Sequence, residues 1–443
     1  MYEKKLFCRK ANKKEKTIMK KFVIGACALA LAATSLFAEG KVLNIYCWND
    51  EFTQRFNDFY AANKPKALEG VEVKWHQIPN QGSAYQDALD AALAKQGSAK
   101  ADDKIDIFLV EADYAKKYTK AGVALDVQKD IGLSKKDMAN QFEYTKNVVT
   151  DAKGAIRGTS WQACPAAVIY RRSIAKAVFG TDDPAKVQAQ ISDWKKFDAA
   201  AAQLKAKGYY MVAGFDDIYR VYDDNRTKAW VKGNKIQIDP KINDWIKQTK
   251  EYTEKGYNNK TSLWDDTWNA GMMADGKVFA YFGPNWLINF CMHDGEAGSA
   301  TGDWAIAQGP QGYSWGGTWI CAAEGTDNKA LVKDIMLALT CDADNMKALS
   351  IKTLDFANNT VAMNALAADD NFKAAFLGGQ NPYGMMVANC AAIKKNVLTP
   401  YEQQMTEKLQ AAMKDYYLGK VDLDKAWDNF YTAVIEALPN LKK

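Results

Sequence analysis

Residues 41–60, KVLNIYCWNDEFTQRFNDFY, decide the fold class. The first eight form a near-continuous apolar run, as in a strand covered on both faces. The remainder places Phe52, Phe56, Phe59 and Tyr60 at helical spacing, with Asn49 or Asp50 in the capping position. A strand leading straight into an amphipathic helix is half of a βα unit, and the chain repeats it. VEVKWHQI (71–78) alternates Val71, Val73 and Trp75 on one face. AYQDALDAALAKQG (84–97) has a helical stripe of Tyr85, Leu89, Ala92 and Leu93 that stops at Gly97. KIDIFLVEAD (104–113) is apolar throughout its middle. Strand, helix, strand, helix, strand predicts an open α/β sheet.

A second α/β region starts near residue 163. Its strand candidates are PAAVIYRR (165–172), YYMVAGFDD (209–217), KVFAYFG (277–283), DWAIAQ (303–308) and TWICAAEGT (318–326). Helical patterns alternate with them at 192–208, 241–255 and 327–340. The last segment is helical, with Leu423, Trp427, Phe430 and Val434 on one stripe. No low-complexity linker separates the two regions. That suits two lobes joined by several hinge crossings better than two beads on a string. The expected division is 39–162 with 308–354 for the first lobe, and 163–307 with 355–443 for the second.

The N-terminus lies outside this pattern. MKKFVIGACALALAATSLFA (19–38) has the charged, apolar, small-residue order of a secretory signal, too short for a spanning helix. Cleavage after Ala38 is expected. A lipid anchor at Cys27, in IGAC, is the competing reading. Residues 1–18 suit neither a fold nor a signal and read as a start-site artefact, with Met19 as the true start. The first 38 residues carry nine Lys/Arg and two Asp/Glu, so the whole chain's +5 becomes −2 once they are removed. No electrostatic case for nucleic acid or anionic membrane remains. The mature chain, about 405 residues, is expected to be periplasmic or otherwise extracytoplasmic and monomeric. Its six cysteines are scattered with no Cys-x-x-Cys pair, which argues for small core residues over a disulfide framework or zinc site. No metal and no cofactor is expected.

The thirteen tryptophans carry the functional reading. Trp194, Trp245 and Trp427 lie in helical patterns, and Trp75 alternates with valines, so core packing accounts for them. Trp48, Trp161, Trp230, Trp264, Trp268, Trp286 and Trp315 instead sit at element ends beside polar or glycine-rich residues. In an open α/β sheet the strand C-terminal ends are where ligands bind, and Trp48, Glu111 and Asp113 fall there. Aromatic faces beside carboxylates and amides suit a pyranose, whose C–H face lies on a ring while its hydroxyl rim needs polar partners.

Together the segments resemble the family 1 extracellular solute-binding proteins of carbohydrate ABC importers, the maltose-binding-protein-like group. The carriers are GKVLNIYCWNDEFTQRFNDFY, GVEVKW, DIFLVEADYAKKYTKAGVALDV, GAIRGTSWQACPAAVIYRRSI, ADGKVFAYFGPNWLINF and GDWAIAQGPQGYSWGGTWICAAEGTDNKALVKDIMLALT. The resemblance covers essentially the whole mature chain. It implies an α/β, two-lobed, periplasmic-binding-protein-like clamp, each lobe a sheet flanked by helices. It also implies capture of a sugar or oligosaccharide and docking on a membrane permease. The family's stacking tryptophan falls on Trp286 and its hydroxyl-binding acid near Asp113, whereas Asn285 and Arg171–Arg172 depart from its pattern. The candidate binding set is Trp48, Asn49, Asp50, Glu111, Asp113, Trp161, Gln162, Trp230, Trp268, Trp286 and Trp315.

An enzyme is poorly supported. The only histidines are His76 and His293, and no G-x-S-x-G, H-E-x-x-H or phosphate loop occurs. The alternatives are a carboxylate-pair glycoside hydrolase using Asp223–Asp224 or Asp265–Asp266, and a surface-attached adhesin or lipoprotein.

Overall fold

The computed structural model describes residues 41–293 and 300–443. The expected signal peptide, Cys27 and the extra leader lie outside these residues. No helix among the described residues is long and apolar enough to cross a membrane.

Two sheets organise the chain. The first runs Glu72–Gln77, Val42–Cys47, Ile107–Glu111, Thr318–Ala322, Thr159–Ser160 in spatial order. Its first three strands are parallel, and Thr318–Ala322 returns antiparallel to Ile107–Glu111. The second sheet runs Trp304–Ala307, Pro165–Arg171, Val278–Gly283, Tyr210–Gly214, Asn258–Thr261. Pro165–Arg171, Val278–Gly283 and Trp304–Ala307 are buried at every position, as strands covered by helices on both faces must be. The α/β, two-lobed expectation describes this architecture.

The opening segment forms as its pattern dictates. The strand Val42–Cys47 is followed by the helix Glu51–Phe59, whose Phe52, Phe56 and Phe59 are buried. Trp75 packs edge-on against Phe52 and Phe56. His76 stacks on Tyr46 at 4.4 Å and shares a hydrogen bond with Asn44, a structural role. Cys47, Cys164, Cys321 and Cys390 are buried, and all six described cysteines are free thiols.

The chain passes between the sheets three times, at 161–164, 315–317 and 354–359. The crossings run side by side: Ala163 N–H donates to Phe356 O, Asn358 N–H to Trp161 O, and Trp315 N–H to Cys164 O. The second crossing starts later than the expected boundary at 308. Tyr313 and Ser314 still pair with Ala166 and Pro165, so the second sheet retains this strand by backbone bonding.

The departures from the family pattern serve the fold. Arg171 pairs with Asp303 at 2.9 Å and donates to the carbonyls of Met273 and Ala274, while Arg172 donates to those of Trp304, Asp182 and Leu377.

Candidate functional site

A cavity of about 860 Å³ opens between the two sheets. From the first lobe, the C-terminal ends of Val42–Cys47 and Ile107–Glu111 bring Trp48, Asn49, Glu111, Asp113 and Tyr114 to its wall. The crossings add Gln162, Trp315 and Gly316. The second lobe adds Asp216, Arg220, Trp264 and Trp286, and the helix Glu402–Tyr417 closes one side with Gln403, Gln410 and Lys414.

The turn at Gly283–Pro284 ends the buried strand Val278–Gly283 and starts a short helix at Asn285. A Cβ on Gly283 would lie 2.3 Å from Leu287 Cδ2, so only glycine lets the chain turn this tightly. Asn285 Nδ2 donates to Leu354 O on the third crossing, and Trp286 Nε1 donates to Trp315 O at 3.1 Å. The turn is thereby tied to two crossings and presents the half-buried Trp286 to the cavity. Gly316, at φ 72°, lets the second crossing pass the indole; a Cβ there would sit 3.1 Å from Trp286 Nε1.

Three indoles form one wall. Trp264 lies nearly parallel to Trp286, 25° between planes and 6.3 Å between centroids, and Trp315 meets Trp286 edge-on at 4.8 Å. Trp264 is 53% exposed and holds φ 72°, a conformation that bulky residues rarely adopt.

The charged wall is arranged across the cleft. Asp113 follows the third strand of the first lobe and Arg220 lies on the second-lobe helix Tyr219–Asp224. Their contact is two-pronged, Nη1 to Oδ1 at 2.7 Å and Nη2 to Oδ2 at 2.5 Å. The guanidinium also lies 5.7 Å from the Trp315 ring centroid. Burial works to raise the Asp113 carboxyl, but Arg220 outweighs it and holds the group below the usual carboxylate range. Glu111 accepts the Asp113 N–H at 2.7 Å. Burial, reinforced by the charge of Asp113, pushes its carboxyl up to about 8. Burial, with Asp217 beside it, likewise pushes Asp216 up to about 7. Near the crossings, Glu51 accepts from Gln162 Nε2 at 2.9 Å and lies 3.5 Å from Arg55, and burial and Asp355 push its carboxyl up to about 7.

Of the sequence-derived candidates, Trp48, Asn49, Glu111, Asp113, Gln162, Trp286 and Trp315 meet at this cavity. Four do not. Asp50 faces solvent and accepts from Gln54. Trp161 is buried behind the wall, stacked on Phe52 at 5.3 Å. Trp230 is buried beneath the Arg226 guanidinium, 4.9 Å away. Trp268 is 1% exposed and donates to Asp217 at 3.0 Å. In LWDDTW the cavity takes Trp264, because Trp268 belongs to the helix Asp266–Ala270 and turns into the core. Asp216 and Arg220 lie in FDDIYRVYDDN (215–225), a stretch expected to supply second-lobe polar contacts but not resolved residue by residue, and the helix Glu402–Tyr417 was not in the candidate set. The helix did carry a signal: Gln403, Glu407, Gln410 and Lys414 form a second, polar stripe opposite Met405, Leu409 and Met413.

Two α/β lobes, three adjacent crossings and one aromatic-walled cavity between them define a solute-binding clamp. The sequence pattern of the bacterial extracellular solute-binding proteins matches residues 54–376, and the chain belongs to that family. Solved structures share its fold. An extracellular solute-binding protein of family 1 superposes with a TM-score of 0.75 at 19% identity, covering 89% of this chain and 99% of its own. The sugar-binding protein MalE from Xanthomonas citri gives 0.67 at 14%, covering 90% and 97%. The galacto-N-biose/lacto-N-biose I-binding protein of Bifidobacterium longum, in complex with lacto-N-biose, gives 0.66 at 15%, covering 90% and 96%. No curated protein matches the chain significantly.

Proposed function

We propose that this chain is the extracytoplasmic binding component of a carbohydrate ABC importer. It captures a sugar or oligosaccharide in the cleft and delivers it to a membrane permease. The carrying observation is the interlobe cavity, where Trp48, Trp264, Trp286 and Trp315 stand among Asn49, Glu111, Gln162 and Gln403. Flat apolar faces rimmed by amides and carboxylates match the two-sided chemistry of a pyranose. The volume lies in the upper part of the ~300–1,000 Å³ range typical of ligand pockets. Contacts made by both lobes would favour the closed form, which the permease would recognise. The sugar-bound relatives of the same fold support this reading.

Binding without chemistry is the favoured mode, by a monomer that has no part in nucleic-acid recognition. The carboxylate pairs considered for hydrolysis stand away from the cavity: Asp223 pairs with Arg226, Asp224 with Lys395, and Asp265 accepts the Ser262 N–H.

A thermal-shift screen over mono- and oligosaccharides tests the reading. A ligand at 100 times its Kd adds about 2.7 kcal/mol of stability. Long incubation should return the sugar intact; shortened products would instead establish a hydrolase. Trp286→Ala should abolish the shift while the chain stays folded.

A further inference from the structure

The cavity wall holds more carboxyl groups than cationic partners. Glu51, Glu111, Asp113, Asp216 and Glu407 face Arg220 and Lys414. Among the described residues, Arg220 is committed to Asp113, Arg55 to Glu51 and Asp355, and Lys395 to Asp224. Among the described residues, Glu111 and Asp216 take part in no ion pair. Asp216 is only 7% exposed, yet it lines the cavity. Glu111 has one oxygen on the Asp113 N–H, and its other oxygen, Oε1, lies toward Gly316 and Trp286. A carboxyl withdrawn from water without a paired cation is costly, and this cavity is lined by the half-buried Glu111 near Trp286 and by the buried Asp216, whose nearest cation is Lys414.

We propose that the ligand is a saccharide carrying a protonated amine, an amino sugar or amine-bearing oligosaccharide, whose ammonium seats against Glu111 at the edge of Trp286. This rests on the carbohydrate-clamp reading and names the substrate class within it. An ammonium satisfies both surfaces, since its charge meets the carboxylate and its C–H neighbours meet the indole. A hydroxyl at the same place offers one hydrogen bond without charge of its own, an acetamide removes the charge, and an acidic sugar finds no free cation at Glu111. Asp216 lines the same cavity from the other lobe and offers a second carboxyl to a ligand that spans it.

The groups facing Glu111 are Asp113, Arg220 and, farther off, Lys395. Asp113 and Arg220 neutralise each other, so an arriving ammonium stabilises the Glu111 carboxylate directly. Burial and the Asp113 charge raise the Glu111 carboxyl and an ammonium lowers it again, so binding is expected to be accompanied by proton release.

The test uses the full exported chain with glucosamine-, galactosamine- and mannosamine-configured mono- and oligosaccharides. Each is matched to its N-acetyl and hydroxyl counterparts, with spermidine as a sugar-free amine. Calorimetry should find the amine at least ~10-fold tighter than its matched neutral forms, the scale of one charge-assisted contact. Heats measured in two buffers of different ionisation enthalpy should report proton release. Glu111→Gln retains an acceptor for the Asp113 N–H, so it should fold, lose the amine preference and lose the proton release. Equal or tighter binding of neutral sugars overturns this inference and leaves the carbohydrate reading standing. Spermidine binding with no saccharide binding overturns the carbohydrate reading and leaves the cation preference standing. Amine preference that survives Glu111→Gln overturns the assignment to Glu111, and silence across the panel overturns both readings.

Discussion

The contact between Asp113 and Arg220 joins one lobe to the other, so cutting it should open the clamp. At ~4 Å and an effective dielectric of ~20, two unit charges attract by ~4 kcal/mol. Both side chains keep some solvent contact, 22% for Asp113 and 15% for Arg220, and their partial desolvation offsets part of that. A coupling of about 2 kcal/mol is expected, toward the low end of the ~1.5–7 kcal/mol measured for close interfacial charge pairs. Asp113→Ala should cost more than the coupling, about 3 kcal/mol, because it strands a guanidinium whose Nε is buried and has no partner. The cheapest relief is hydration, which the open form provides. The assay is a double-mutant cycle over Asp113→Ala and Arg220→Ala by urea denaturation, with small-angle scattering on each variant. Both single variants should have a larger radius of gyration than the parent. Because the Asp113 pKa is depressed, its contribution is present above the unfolded carboxylate range and is lost only as pH falls through the lower folded value. The contact should therefore hold through neutral pH and release only in strong acid. A coupling under ~0.5 kcal/mol with unchanged scattering, the range of exposed surface pairs, would refute the reasoning.

Three further outcomes are expected. Glu111 (about 8), Glu51 and Asp216 (about 7) and Asp217 (about 6) all titrate higher when folded, so the unfolded chain binds fewer protons between their unfolded and folded values. The unliganded melting temperature should accordingly fall from about pH 5.5 to pH 8, and Glu111→Gln with Asp216→Asn should flatten that slope. Trp268→Ala should cost ~3–5 kcal/mol by emptying a core site and taking the indole N–H from Asp217, seen as a large drop in urea midpoint. Trp264→Ala should move the midpoint by under ~1 kcal/mol, since half the ring is exposed and a strained backbone position is involved, while ligand affinity falls ~10-fold or more.

What the sequence made legible follows from where the signals are local. In the first lobe two strands announce themselves by apolar runs, a third by alternation and the opening helix by its stripe, so Val42–Cys47, Glu72–Gln77, Ile107–Glu111 and Glu51–Phe59 could be read directly. Trp48, Glu111 and Asp113 followed because a strand's C-terminal end is a position known from pattern alone. The place of Thr318–Ala322 between Ile107–Glu111 and Thr159–Ser160 depends on pairing across some two hundred residues, which leaves no local trace. FDDIYRVYDDN (215–225) could be read as a source of second-lobe polar contacts, but which residue reaches the cleft appears only when Asp113 is set opposite Arg220. Trp264 and Trp268 are only four residues apart in sequence, yet one is 53% and the other 1% exposed, and composition alone does not separate them.

The three crossings show why the site and the hinge occupy one place. Each contains a residue in the left-handed region: Cys164 at φ 50°, Gly316 and Gly317 at 72° and 109°, and Leu354 at 57°. Cys164 and Leu354 carry a Cβ there, at a cost of roughly 1–2 kcal/mol each. Their neighbours bear the site: Gln162 and Trp315 flank the first two, and Leu354 O receives Asn285, the residue before Trp286. Any rotation of one lobe on the other must be absorbed at a few such loop positions, and it will move Trp286 and Trp315 with it. Because Trp286 and Trp315 are already tied together on the second-lobe side, rotation about the crossings would change the distance from this wall to Trp48, Glu111 and Asp113 on the first lobe, so the width of the cavity and the angle of the hinge are linked.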